Sequence, residues 1–358
     1  MPDRLYLDHA AITPVLPEVR DAMARALERP GNPSSPHADG REARARLEQA
    51  RRTIADALGW RHDVIFTSGG SEAIQLAATC PLVARHLVGA TEHEAVAAAM
   101  GRRARILAVD GSGLIDLEAL EDALVGAPAL VAVQLVNNET GVIQPLERIG
   151  EIVRASGSLL LADCAQAAGK IPLPEADFIA ITAQKFGAAP GTGALLVRDV
   201  ASLKASGGQE RGYRRGTENL PGIIGMAAAL DGRAFLHAMP RLGALRQHLE
   251  CQIVGSGGLV IAENAPRIAS IGAYGMPGVA SASQLVQLDL AGISVSAGSA
   301  CSSGSMKSSR VLSAMGLPGE IASTVIRVSF GPSTSEADVD RFLSEWRKIA
   351  ARAKAQAA

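Results

Sequence analysis

Apolar positions fall along this chain in two textures. Up to about residue 230, short apolar runs alternate with stretches of helical spacing. In "REARARLEQARRTIADALG" the residues Ala43, Leu47, Ala50, Ile54, Ala57 and Leu58 share one helical face, and Gly59 is placed to end the helix. "VIFT" (64–67) reads as a buried strand, followed by a glycine turn and a helix starting near Ser71. "LVAVQL" (130–135), "SLLLAD" (158–163) and "DFIAIT" (177–182) are further apolar runs, with a helical stretch, Leu146 to Ala155, between the first two. The runs are continuous rather than alternating. That predicts strands covered on both faces, an α/β fold with a mostly parallel sheet.

After about residue 230 the spacing changes. A long helical stretch, "MAAALDGRAFLHAMPRLGALRQHLE", leads away from the sheet. Shorter strands are predicted at "GLVIAE" (258–263), "RIASIGA" (267–273) and "VIRVSF" (325–330), with a helix at "SASQLVQLDLAG" (281–292). An amphipathic helix from about Glu336 to Ala351 closes the chain. This reads as a second, smaller α+β domain. The expected division is 15–230 for the large domain, and 1–14 with 231–358 for the small one.

Composition narrows the function classes. With 358 residues, 47% hydrophobic and 20% charged, the chain suits a soluble globular protein of about two domains. The formal net charge of -1 offers no basic excess for nucleic acid or an anionic membrane. Aromatic content of 3% also argues against base-stacking surfaces. Cys80, Cys164, Cys251 and Cys301 show no Cys-x-x-Cys spacing, so no metal site is expected. The start lacks an apolar signal core, and no run is long enough to span a membrane. A reducing cytoplasm is the expected setting.

Several polar residues stand where apolar strands end, which is where open α/β sheets bind ligands. Lys185 follows the 177–182 run by one turn; it is either a solvated loop lysine or a desolvated amine suited to a Schiff base. Gly69 and Gly70 allow close backbone approach, and Ser71 opens a helix, as an ordinary N-cap or as a phosphate site. Asp163 ends a strongly apolar strand, either capping a helix or pairing with a protonated ring nitrogen, and Gln166 lies one turn on. The asparagines of "QLVNNETG" either bind a ligand carboxylate or form a turn. His93 is a structural histidine or an acid/base and ring-stacking group. Cys301, among glycines and serines, suits an exposed nucleophilic thiol. Arg327, inside an apolar strand, needs an anionic partner and suits a carboxylate. Together these make a kit for pyridoxal phosphate chemistry on an amino acid, with a thiol added.

At this point the chain resembles the cysteine desulfurases, in the class V aminotransferase-like group of fold type I pyridoxal phosphate enzymes. The similarity runs from "YLDHAAITP" and "GNPSSPH" through "FTSGGSEA", "TEHEAV", "VNNETG", "ADCAQAAGK", "QKFGAAPGTGALLVR" and "RRGTENLPGIIGM" to "SAGSACSSGS" and "IRVSFG". It implies a three-layer α/β/α domain on a mostly parallel seven-stranded sheet, and a homodimer. It implies that Lys185 links to pyridoxal 5'-phosphate and shuttles protons. Asp163 would pair with the pyridinium nitrogen, Gln166 with the ring hydroxyl, and His93 would stack on the ring. Gly70, Ser71 and Thr182 would bind the phosphate, and Thr217 would reach the phosphate of the other subunit. Asn138 and Arg327 would hold the carboxylate of L-cysteine. Cys301 would attack the substrate sulfur, leaving alanine and a persulfide for a sulfur-acceptor protein.

The chain departs from the family pattern at two positions. Gln184 stands where histidine usually precedes the lysine; its amide can donate to phosphate but carries no charge, which implies a weaker hold on the cofactor. Ile12 replaces the usual threonine. The longer C-terminal tail of housekeeping members is absent, which sets iron–sulfur assembly in question as the specific pathway. The alternative activities are those of a selenocysteine lyase or an aminotransferase, and Cys301 on its Gly/Ser segment speaks against simple transamination.

Overall fold

The computed structural model describes residues 4–298 and 309–357. The chain begins with β1 (Leu5–Tyr6), α1 (Pro17–Leu27) and α2 (Ala38–Leu58). Alternation follows: β2 (Asp63–Thr67), α3 (Gly70–Ala78), β3 (Arg85–Gly89), α4 (Glu94–Met100), β4 (Arg105–Leu107), α5 (Leu117–Leu124), β5 (Ala129–Gln134), α6 (Leu146–Ala155) and β6 (Leu159–Asp163). Next come β7 (Phe178–Thr182), β8 (Gly193–Val197), α7 (Leu220–Asp231) and α8 (Ala234–Gly255). The remainder holds β9 (Leu259–Val260), β10 (Ile271–Gly275), α9 (Ser281–Leu290), β11 (Ile293–Ser294), α10 (Arg310–Ala314), α11 (Gly319–Ala322), β12 (Val325–Ser329) and α12 (Glu336–Ala357).

Seven strands form one sheet in the order β2-β8-β7-β6-β5-β3-β4. Only β8 runs against the rest, pairing antiparallel with both β7 and β2. Strands β5, β7 and β8 are buried at every position. Alternate residues of one strand enter different cores, because side chains on a strand point to opposite faces. Val131, Ile179 and Ile181 join Leu47 and Ile54 of α2 and Met226 of α7. Leu130, Ala132, Phe178 and Ala180 join Ile74 of α3 and Met100 of α4. This is the expected three-layer arrangement, and it explains why the strand runs carry no polar alternation. The carboxyl ends of the parallel strands bring Thr67, Gln134, Asp163 and Thr182 to one edge.

A second, antiparallel sheet has the order β12-β10-β9. The N-terminal segment is tied to this part of the chain. Strand β1 pairs in parallel with β11, and Asp8 makes a parallel bridge to Ser329.

Local differences from the pattern have physical reasons. The expected single helix over 226–250 is two, because Arg233 takes a left-handed backbone (φ 51°) between α7 and α8. The strand expected at 267–273 forms over Ile271–Gly275, with Arg267 engaged instead in an isolated bridge to Val142. At "GLVIAE" only Leu259 and Val260 pair, and Ala262 beyond them has φ 55°. The closing helix runs on past Ala351 to Ala357.

Candidate active site

Strand β7 ends at Thr182 and the chain turns at once through a single 3-10 turn, Ala183–Lys185. That turn lifts Lys185 into a cavity of about 330 Å³ at the carboxyl edge of the sheet. Lys185 Nζ donates to the carbonyl oxygens of Ala10 at 2.8 Å and Ala11 at 2.6 Å. Thr13 N–H donates to the carbonyl of Gln184, so the N-terminal segment is bound to the lysine turn along its length.

Asp163 closes β6 at the base of the cavity and is buried. Burial raises its carboxyl above the usual range; the Ala165 N–H at 2.9 Å and the charges of His93 and Lys185 oppose that rise. Gln166, one turn on, donates from Nε2 to the Ala10 carbonyl at 2.8 Å, and its Oε1 accepts from Lys170 Nζ at 3.4 Å. Lys170 is fully buried, with its amine 4.8 Å from the centre of the Phe235 ring. Burial, and then the charge on Lys185, push its amine down to about 7.

The start of α3 also lines the cavity. Gly69 has φ 157°, and a Cβ on Gly193 would stand 2.7 Å from the Gly69 backbone, so β2 and β8 approach here as only glycine permits. Gly70 and Ser71 then present the first N–H groups of the helix to the cavity beside Thr182. Thr182 Oγ1 donates to Gln184 Oε1 at 2.6 Å. Glu72 is the counterweight: it takes the Ser68 N–H and pairs with Arg214 at 3.0 Å.

His93 is the N-cap of α4, its Nδ1 accepting the Ala95 N–H at 3.2 Å. The remaining ring nitrogen, Nε2, then carries the proton in the neutral tautomer. The two asparagines divide the work that the sequence left open. Asn137 makes the turn, accepting from the N–H groups of Glu139 and Thr140, whereas Asn138 lines the cavity. Arg327, in the middle of β12, is buried on the cavity wall. It donates to Asp8 Oδ1 at 2.7 Å and to the Asn138 carbonyl at 3.0 Å.

One cavity therefore gathers Lys185, Asp163, Gln166, His93, Gly70 and Ser71, and with them Thr182, Gln184, Asn138 and Arg327. Thr217 is exposed, on the loop before α7, and is not among the lining residues. Cys301 lies outside the described residues. The carbonyls of Ala10 and Ala11, and Gln134 and Glu72 on the wall, were not singled out from the sequence. The stretch "YLDHAAITP" was the available signal for the first two. Among the described residues Cys80 and Cys164 are buried and Cys251 is exposed.

A family model described as aminotransferase class-V matches residues 5–342. A cysteine desulfurase of Cereibacter sphaeroides is 37% identical over 95% of this chain and 94% of its own length. A NifS-like protein of Rickettsia africae superposes with a TM-score of 0.89 at 29% identity, over 97% of this chain and 99% of that one. The structure described as SspA in complex with cysteine gives a TM-score of 0.79 at 28% identity, covering 93% and 100%.

Proposed function

The chain belongs to the aminotransferase class-V family, among its cysteine desulfurases, and on that premise we propose that this cavity holds pyridoxal 5'-phosphate and takes sulfur from L-cysteine. The donor set fits the cofactor. A buried carboxyl, helix N–H groups and an amine on the lining of one cavity match a ring cation, a phosphate and an aldehyde. The cofactor, when bound, supplies an electron sink for the carbon beside the substrate amine.

The chain's own residues do the rest. Lys185 would hold the cofactor aldehyde through Nζ, and its amine is the group that would carry protons to and from the substrate carbon. Asp163 keeps the ring nitrogen protonated. Gln166 would donate from Nε2 to the ring oxygen, and His93 would stack on the ring. Gly70, Ser71, Thr182 and Gln184 hold the phosphate, with Thr217 of a second copy completing it in a homodimer. Asn138 and Arg327 fix the substrate carboxylate. The Cys301 thiolate attacks the sulfur of L-cysteine: an S–S bond forms, the C–S bond breaks, and the carbon fragment takes up a proton to leave as L-alanine. The sulfur stays as a persulfide on Cys301 for transfer to an acceptor protein. We take 15–230 as the large domain and 1–14 with 231–358 as the small one, which the pairing of β1 with β11 supports. Among the described residues no helix is long and apolar enough to cross a membrane. We place the enzyme in the cytoplasm, where a reduced Cys301 survives.

The observation that carries this reading is the meeting of Lys185, Asp163 and Arg327 in one cavity. The test is Cys301→Ala. The variant should stay yellow with cofactor and lose alanine and sulfide production from L-cysteine. Sulfide release at the full rate would remove Cys301 from its role.

A further inference from the structure

The opening stretch "YLDHAAITP" contributes more than backbone. We infer that Asp8 is a positioning residue that sets the guanidinium of Arg327 for the carboxylate of L-cysteine. The inference rests on the proposed role of Arg327.

Arginine pairs elsewhere in the fold show what a closed pair looks like. Arg51 meets Glu210 with both ends of its fork, at 2.7 and 2.9 Å. Arg267 meets Glu250 the same way, at 2.7 and 3.1 Å. In each, two guanidinium nitrogens face the two oxygens of one carboxylate, and Arg51 adds bonds to Glu48 and the Val64 carbonyl. Arg327 and Asp8 are arranged otherwise. One nitrogen takes one oxygen of Asp8 at 2.7 Å, and the other nitrogen takes the Asn138 carbonyl at 3.0 Å. The second Asp8 oxygen is turned away to the Ser296 hydroxyl at 2.8 Å. Ser296 is itself locked to Arg327, for the two exchange backbone hydrogen bonds.

Asp8 is thus held at both oxygens and on its own backbone, through the bridge to Ser329. Arg327 lines the cavity; Asp8 does not. The carboxylate, which is not on the cavity lining, holds the guanidinium and balances its charge, while guanidinium donors, Nε among them, remain for a second carboxylate. A flexible arginine would have to be ordered by the substrate, at a loss of affinity. Fixing it beforehand adds equally to substrate and transition-state binding, which is read in KM rather than kcat.

The test uses the cofactor-loaded full chain. Asp8→Asn keeps the shape and removes the charge. We expect KM for L-cysteine to rise about tenfold with kcat changed less than about twofold, and the dissociation constant of pyridoxal phosphate to stay the same. Ser296→Ala, which frees only the rear oxygen, should raise KM about threefold. If Asp8→Asn leaves KM unchanged or lowers it, the inference fails. It fails equally if cofactor affinity and kcat fall as KM rises, for that is a general structural role. Arg327→Lys separates the two readings. If it raises KM while Asp8→Asn does not, only the Asp8 inference falls; if it leaves KM unchanged, the proposed role of Arg327 falls. Should Asp8→Asn not fold, Ser296→Ala decides, and an unchanged KM there overturns the inference.

Discussion

The amine of Lys185 is held 2.8 Å from the carbonyl oxygen of Ala10, and that same oxygen accepts from Gln166 Nε2 at 2.8 Å. A residue with no functional side chain thus aims two polar groups by its backbone. The proposed covalent link follows from this aim. Borohydride reduction of the loaded protein, then peptide mapping, should find the cofactor mass on Lys185. Lys185→Ala should bind the cofactor without a link and lose turnover by roughly 10²–10⁴-fold, the worth of a positioned proton carrier. An unmodified Lys185 in reduced, loaded protein would refute the assignment.

Asp163 gives a pH signature. Burial raises its carboxyl, so the empty site favours the protonated acid more than an exposed aspartate would. A ring cation set against it stabilises the anion, so loading expels whatever proton the acid holds. The sign follows. Cofactor affinity should fall as pH drops through the raised range, where the acid must first lose its proton. Asp163→Asn can still accept the Ala165 N–H but holds no charge. Its cofactor affinity should lose that acid-side slope, and its turnover should drop about 10²-fold or more, as when a preorganised electrostatic group is removed. Dissociation constants between pH 4 and 8 check both, and an unaltered slope in the variant would count against the pairing.

The same geometry explains what could be read in advance. Asp163 and Thr182 stood out because each ends an apolar run, and the runs are unbroken because helices cover both faces of the sheet. Strand β3 escaped notice because it opens with Arg85 and His86, and β8 because its apolar residues emerge from a glycine-rich stretch. The break at Arg233 is a backbone angle, which apolar spacing does not encode. The carbonyls of Ala10 and Ala11 act without side chains, so no reading of side-chain chemistry finds them. The asparagine pair was legible as a site, but its division of labour depends on which residue of the turn points inward.

Lys170 should make folding stability depend on pH. Its amine sits at about 7 in the folded chain against 10.5 in an unfolded one. The folded state therefore binds fewer protons between those values, and stability rises with pH across the window. The unfavourable contribution is complete below about 7 and fades toward 10.5. Lys170→Met keeps the bulk without the charge. Its stability relative to the parent should be greatest near pH 6 and should decline by ~1.4 kcal/mol per pH unit as pH rises above 7. Denaturation midpoints at pH 6, 8 and 9.5 test this, and a constant difference would rule out a titrating Lys170.

Gln184 offers the last prediction. Its Oε1 takes the Thr182 hydroxyl hydrogen at 2.6 Å, a bond that a bound phosphate would draw to itself, and the glutamine can donate to that phosphate only from its uncharged amide. Histidine, usual at this place in the resembling family, can carry a proton. Charge-assisted hydrogen bonds are roughly twice as strong as neutral ones. Gln184→His should therefore tighten pyridoxal phosphate binding about three- to tenfold near pH 6. A bound dianion holds the imidazole proton to higher pH, so the gain should persist above the ordinary histidine range and then disappear as pH rises further. Cofactor dissociation constants of the two proteins at pH 6, 7.5 and 9 provide the measurement. Equal affinity at pH 6 would mean that residue 184 does not touch the phosphate, and the glutamine would then be a partner of Thr182 alone.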